Sequence, residues 1–409
     1  MPTKKITTRC CIAGGGPAGI MLGFLLARAG IETLVLEKWP DFFRDFRGDT
    51  IHPSTMEILH ELGLLDEFLK LPHNETYQLE GEIGNQKVLL ADFSHLKVHC
   101  PFIAFIPQWD FLNFITQQAQ DYPHFKILMN TEVTGLIEGH DKIIGVHARN
   151  NKTQEALEIQ AELVIGADGR HSIVREKSGL LLQTLSAPMD VMWFRLSRLA
   201  TDPKQSLGKV DLGRILIMIQ RDTYWQCGFL IRKGDFDEMR RAGLESFQNN
   251  IVTIAPNLAD RVHEIKNWEQ VKLLEVTVDR LQKWYRSGLL CIGDAAHAMS
   301  PIGGVGINLA IQDAVASANV LVPAFLRGTV TEADLAKIQK RRELPTRIIQ
   351  GIQVFIQNHI IARVLGNRVH PRLPMIFKLL QRIPYLRLIP ARIIGMGFRP
   401  EHIQTQDHR

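Results

Sequence analysis

Three short stretches of this 409-residue sequence combine residue types and spacings that could do chemistry. The first is Gly14-Gly15-Gly16-Pro17-Ala18-Gly19, a GxGxxG match on positions 14, 16 and 19. Glycine at the first position permits a tight turn. At the second it lets backbone approach a pyrophosphate, and at the third it lets a helix lie close on a strand. The N-terminus of that helix then faces the negative charge. Glu37 ends the next apolar run, where a carboxylate accepts the hydroxyls of an adenosine ribose. An acidic rather than a basic residue there disfavours a 2′-phosphate. The spacing predicts a dinucleotide site.

The second stretch is Gly166-Ala167-Asp168-Gly169-Arg170-His171-Ser172-Ile173-Val174-Arg175. The third is Cys291-Ile292-Gly293-Asp294-Ala295-Ala296-His297, continued by Ser300-Pro301-Ile302-Gly303-Gly304-Val305-Gly306-Ile307-Asn308. Alone, each reads as a strand ending in a polar turn, where an Asp is more often a helix cap than a ligand. Together, in this order, the three are far more specific than any one.

The elements around them read as a strand at 9–13, a helix at 17–29 closed by Gly30, and a second strand at 33–37. Pro53 opens a helix that ends before Gly63. Alternating runs at 75–97 flank Gly84-Asn85, a hairpin signal. Helix returns at 109–119, strands follow around 125–160, and residues 181–280 are again strand-rich. A last buried strand at 289–293 leads into the glycine loop and a helix to about 321. From 335 the pattern is helical, broken at Pro345, Pro371, Pro374, Pro384 and Pro390. This predicts a mixed α/β chain. A Rossmann-like dinucleotide-binding domain in three parts (1–72, 98–180, 281–345) is interleaved with a β-sheet substrate domain (73–97, 181–280). A basic helical segment (346–409) closes the chain.

Composition sets the outer bounds. Hydrophobic residues are 45% and charged residues 22%, which excludes a disordered, collagenous or coiled-coil chain. The length calls for two or three packed domains. Five scattered cysteines without a CxxC pair argue against a disulfide framework or a zinc site, and for a reducing cytoplasm. No metal site is expected. The run 10–27 imitates a secretory signal, but its five glycines and one proline suit a βα unit. No other run is long and apolar enough to predict a spanning helix. Residues 341–409 hold 12 Lys/Arg against 3 Asp/Glu, and residues 1–340 hold 36 against 40. The basic tail is first of all a solvated helical face packed on the body. It also offers a weak contact to an anionic membrane surface. No nucleic-acid signature is present.

The three motifs resemble those of the flavoprotein monooxygenases typified by p-hydroxybenzoate hydroxylase, over about residues 8–325. The resemblance implies FAD as cofactor, NAD(P)H as co-substrate and O₂ as oxidant. It implies hydroxylation of an aromatic or polycyclic small molecule through a flavin C4a-hydroperoxide, in a monomer or homodimer. Gly14, Gly15, Gly16, Pro17, Ala18 and Gly19 would hold the pyrophosphate, with Glu37 and Lys38 near the ribose. Arg47 and Gln108 match flavin-contacting positions, and Val133 falls on the strand lining the adenine. Asp168 and Gly169 belong to a segment shared by FAD and NAD(P)H, and His171 matches a nicotinamide-cofactor contact or is an exposed first-turn residue. Asp294 and Ala295 would meet the ribityl chain. Pro301, Gly303, Gly304, Val305, Gly306, Ile307 and Asn308 would line the flavin ring. His297 is expected to make a structural hydrogen bond. No catalytic base is identifiable.

The halogenase WxWxIP pattern is missing. The nearest match, Trp225-Gln226-Cys227-Gly228-Phe229-Leu230-Ile231, lacks the second Trp and the Pro. Trp193, Phe194, Ile215, Ile217, Tyr224, Trp225 and Phe229 are candidates for a substrate wall, although alternation also makes each an ordinary core residue. Two rival readings share the scaffold: a flavin-dependent reductase of unsaturated lipids, and a non-catalytic binding protein.

Overall fold

The computed structural model describes residues 3–43, 50–84, 86–203, 206–366 and 375–408. Five parallel strands form its centre, in the order Leu289–Cys291, Ala156–Gly166, Lys4–Ala13, Thr33–Leu36 and Phe125–Leu128. Cys10 to Ala13 and Thr33 to Leu36 are apolar or β-branched and fully buried, as strands covered on both faces must be. Helices Pro17–Arg28 and Gly306–Leu326 pack together over the sheet. Register aligns the strand ends: Ala13 lies beside Gly166 and Leu36, and Gly166 beside Cys291. The three motifs therefore leave the sheet at one level. Ligands of open α/β sheets bind beyond this carboxyl edge. The first strand begins at Lys4 rather than residue 9, because the polar residues 4–8 pair with 157–161. That pairing leaves no trace in their hydropathy.

Seven strands make the second sheet, ordered Lys272–Leu274, Met189–Ser197, Tyr224–Arg232, Arg214–Gln220, Leu207–Asp211, Gln78–Ile83 and Gln86–Asp92. Residues from both predicted insertions share it, joined by parallel pairing of Leu207–Asp211 with Gln78–Ile83. Asn85, in the expected hairpin turn, lies outside the described residues. Helix Leu244–Ile254 covers one face and encloses Phe194, Trp225, Phe229 and Phe247. The other face carries Trp193, Ile215 and Leu230.

The C-terminal part differs most from expectation. Pro345 does not break the chain but sits buried inside the helix Glu332–Ile356. An interior proline costs a helix about 3 kcal/mol, and here anchors on both sides outweigh it. Arg342 is fully buried in ion pairs, and Gln350 donates to the Asp279 and Ala298 carbonyls at 2.8 and 3.0 Å. Pro390 likewise lies within the helix Leu388–Gly395, whereas Pro384 opens a short 3₁₀ turn. Pro371 and Pro374 lie outside the described residues. Residues 400–408 form neither helix nor strand. Polar contacts hold them: Ile403 N–H donates to Glu61 at 2.7 Å, and Tyr122 OH to Asp407 at 2.9 Å. Two helical stretches, 302–326 and 332–366, are long and apolar enough to cross a membrane by length and composition, which the sequence reading did not anticipate. The first is mostly buried in the core.

His52 joins the C-terminal helix to the body. Its Nδ1–H donates to the Ile394 carbonyl at 2.8 Å, and its buried Nε2 has no partner among the described residues. Burial pushes this imidazole down to about 4, against the smaller opposing effect of that carbonyl. The unfolded chain takes up a proton near 6.5, so stability is full above that pH. It falls as pH drops from 6.5 to 4, by roughly 3 kcal/mol in all. Urea midpoints of wild type and His52→Gln are expected to diverge at pH 7 and converge toward pH 4. Parallel pH profiles would count against this assignment.

Candidate active site

One cavity of about 460 Å³ opens at the carboxyl edge of the parallel sheet. Its walls bring together Gly14, Gly15, Gly16, Pro17, Ala18, Glu37, Lys38, Gln108, Val133, Asp168, Gly169, His171, Asp294, Pro301, Gly304, Gly306 and Ile307. These come from six separate chain segments. Arg47 lies outside the described residues.

The glycines of the first turn divide the work. A Cβ on Gly14 would meet the Ala167 carbonyl oxygen at 2.3 Å, and one on Gly19 would meet the Gly14 oxygen at 2.0 Å. Both positions are closed by the protein's own backbone. Gly16 has ordinary extended backbone and nothing within 4 Å of a Cβ, so its free side is cavity. The helix it opens, Pro17–Arg28, has no side-chain cap and no acidic residue in its first turn. The helix Gly306–Leu326 begins at the same cavity, also uncapped and without early acids. Two helix N-termini thus offer free backbone N–H groups and positive dipole ends to one space. Glu37 is buried at the wall, where it accepts from the N–H of Gly15 at 2.9 Å and of Trp39 at 3.1 Å.

The second motif is a self-locked turn. Asp168 accepts from Ser172 Oγ at 2.5 Å and from Val174 N–H at 3.2 Å, so it caps the helix Ile173–Lys177 while its residue lines the cavity. Burial raises its carboxyl above the usual range, and these hydrogen bonds oppose the shift. Ser172 accepts in turn from Arg175 N–H at 2.9 Å. The Arg175 guanidinium crosses to the third motif, donating to Ala295 O at 3.3 Å and pairing with Asp279 at 3.5 Å. It also donates to Arg170 O at 2.5 Å. Arg170 lies 3.6 Å from Asp294. His171 is exposed at the rim. Replacing Arg175 by Met removes the link between the two loops. Charge-assisted hydrogen bonds of this kind contribute about 1.5–3 kcal/mol, so cofactor affinity is expected to fall on the order of tenfold or more. Fluorescence titration of the stripped protein measures this, and unchanged affinity would contradict it.

The third motif splits between ligand-facing and framework residues. Pro301, Gly304, Gly306 and Ile307 line the cavity, whereas Ala295, Gly303, Val305 and Asn308 do not. Asn308 instead ties the loop down. Its Oδ1 accepts from His52 N–H at 2.8 Å and Thr55 Oγ at 2.7 Å, and its amide donates to Thr50 O at 3.2 Å. Val305 packs with Met299, Leu309 and Ile349. His297 makes the expected hydrogen bond, with Nε2 2.5 Å from Asp313. Asp313 also accepts from Gly293 N–H at 3.1 Å and from Arg342 Nε at 2.9 Å. Burial alone would raise the Asp313 carboxyl, but His297 and Arg342 hold it below the usual range. Arg342 continues to Glu401 at 3.1 Å.

Opposite the glycine loops, the wall is the second sheet. Trp193, Ile219, Gln226 and Leu274 reach the cavity, with Met299 and Ser300 beside them. Of the seven aromatic and aliphatic candidates, only Trp193 is among the lining residues. Trp225 points the other way, its Nε1–H donating to Asp202 at 2.9 Å in the helix-covered core. Alternation decides this: Gln226, next in the strand, faces the cavity. Arg221 donates to its Oε1 at 3.3 and 3.2 Å and so fixes the amide's orientation. Sequence reasoning passed over Gln226 and Arg221, because a polar residue between Trp and Cys carries no motif.

The sequence matches the FAD binding domain family over residues 7–350. The chain belongs to that family. It is 29% identical over 395 residues to 6-methylpretetramide 4-monooxygenase of Streptomyces rimosus, covering 96% of this chain and 93% of that one. It is 28% identical to the FAD-dependent monooxygenase atmM of Aspergillus flavus, covering 93% and 82% of the two chains. Its fold is that of p-nitrophenol 4-monooxygenase PnpA of Pseudomonas putida DLL-E4, with a TM-score of 0.78. That likeness covers 97% of this chain and 100% of the other, at 19% identity. The protein is a flavin-dependent oxidoreductase with FAD as its cofactor. The site fits that group: an open face at Gly16, two uncapped helix N-termini for its negative charge, and a buried carboxylate where the second strand ends.

Proposed function

We propose that this flavoprotein is a monooxygenase that uses NAD(P)H and O₂ to hydroxylate an aromatic or polycyclic small molecule. The observation that carries this reading is one continuous cavity walled by the glycine loops on one side and by an apolar sheet on the other. When bound, FAD supplies two-electron reduction by the nicotinamide and activation of oxygen.

The chain's own residues do the rest. Gly14 to Ala18 and the helix Pro17–Arg28 hold the pyrophosphate, and Glu37 the ribose. Pro301, Gly304, Gly306 and Ile307 would face the flavin ring with backbone and apolar side chains. The N-terminus of the helix Gly306–Leu326 stabilises negative charge that develops on it. Trp193, Ile219, Leu274 and Met299 would exclude water and stray protons from the substrate side. Gln226, oriented by Arg221, offers the substrate's hydroxyl or carbonyl a hydrogen bond in that wall. His171, exposed at the rim, would meet the nicotinamide cofactor. That both relatives described above are monooxygenases supports oxygen insertion. A cytoplasmic setting fits five cysteines that are all buried and free.

Anaerobic stopped-flow tests the reading. Purified yellow protein is mixed with NADH or NADPH across a panel of phenols and hydroxylated polycycles. A substrate is expected to accelerate flavin reduction. A panel of unsaturated lipids that accelerates reoxidation anaerobically, with no effect of phenols, would instead favour the reductase.

A further inference from the structure

We propose that the C-terminal segment docks the enzyme on an anionic lipid surface. The helix Met375–Arg382 turns an apolar stripe outward. Met375 and, four residues on, Leu379 are 85% and 42% exposed, and Ile383, just past the helix end, is 41% exposed. Residues four apart share a helix face, and a soluble helix normally buries such a face. Tyr385 and Ile389 extend the stripe at 82% and 56% exposure. Contiguous exposed apolar surface of this kind marks an interaction site.

Charge selects the partner. Between Glu343 and Glu401 the sequence holds nine Lys/Arg and no acidic residue. Arg382 and Arg392 are exposed on the two helices that carry these apolar residues, and Arg399 is exposed just beyond them. A second copy of this chain would bring like charges together. An anionic bilayer accepts both features, taking the apolar side chains at the headgroup–acyl boundary and the arginines at the phosphates. Pro384 opens a turn between two helices of only eight residues each, Met375–Arg382 and Leu388–Gly395, so the segment lies along the surface and does not span it.

The docked face backs onto the substrate side of the cavity. The helix Leu388–Gly395 shows Ile389 and Arg392 outward, while its buried Ala391 packs in a cluster with Ile219, which lines the cavity. Its Ile394 carbonyl holds His52. An apolar substrate dissolved in the bilayer would thus meet the enzyme at the wall that receives it.

Co-sedimentation of the FAD-loaded protein with vesicles decides the matter. Binding to phosphatidylcholine vesicles containing phosphatidylglycerol is expected to exceed binding to pure phosphatidylcholine by on the order of tenfold or more, and to fall in high salt. The double variant Met375→Glu, Tyr385→Glu is expected to lose this binding while keeping wild-type flavin absorbance, which separates loss of the surface from loss of the fold. Equal or absent binding to both vesicle types overturns the proposal, as does full binding by the variant. So does a wild-type dimer that the double variant dissolves without any vesicle binding, since the stripe then belongs to a second copy.

Discussion

Gly16→Val protein is expected to fold as wild type does and to purify without flavin colour. The reason lies in the contrast among the turn glycines. A side chain at Gly14 or Gly19 would strike backbone at 2.3 or 2.0 Å and disturb the fold itself. At Gly16 the backbone is ordinary and the space is open, so valine disturbs nothing in the empty protein. It fills the volume that the pyrophosphate needs beside the helix N-terminus. FAD affinity is expected to fall roughly a hundredfold or more, about 3 kcal/mol. Circular dichroism and the melting temperature of the stripped protein should match wild type, while visible absorbance after FAD addition and gel filtration should vanish. Folded Gly16→Val protein that stays yellow would contradict the placement of the cofactor.

Asp313→Ala is expected to be the most destabilising single substitution in the framework. Asp313 is fully buried and holds Gly293 N–H, His297 and Arg342 at once. Removing it leaves the fully buried Arg342 guanidinium with only part of its compensation. Breaking a buried pair in this way costs about 3–5 kcal/mol. Thr331→Ala provides the scale. It removes the capping box of the helix Glu332–Ile356, worth about 1 kcal/mol. Chemical denaturation should rank the two in that order. Because Gly293 precedes Asp294 in the cavity wall, Asp313→Ala should also weaken FAD binding. A denaturation midpoint equal to that of wild type would refute the structural role assigned to the network.

The site was legible where chemistry is written locally. The glycine turn and Glu37 point to a dinucleotide site through their spacing and the motif around Asp294 through its resemblance to a family, and residues of all three reach the cavity. What spacing could not separate was ligand contact from support. Asn308 and Val305 directly adjoin the cavity residues Gly304, Gly306 and Ile307 in sequence, yet they bond and pack within the protein. Asp168 both lines the cavity and caps a helix, so the bland and the functional readings hold together. Long-range pairings were invisible. Asp313, Arg342 and Glu401 meet across distant segments, and nothing in their neighbours announces it. Pro345 looked like a helix end because local propensity ignores the tertiary anchors of Arg342 and Gln350. In the second sheet, alternation predicted two faces but not which one meets the flavin loops. Trp193 and Gln226 were settled only by how the sheets pack.

The most direct test of oxygen insertion is product mass after turnover under isotopically labelled dioxygen. The FAD-loaded protein is supplied with NAD(P)H and the phenolic or polycyclic compound that most accelerates flavin reduction. The product should gain one labelled oxygen atom, with nicotinamide oxidised in proportion. Hydrogen peroxide alone, or a reduced product carrying no label, would contradict the monooxygenase assignment.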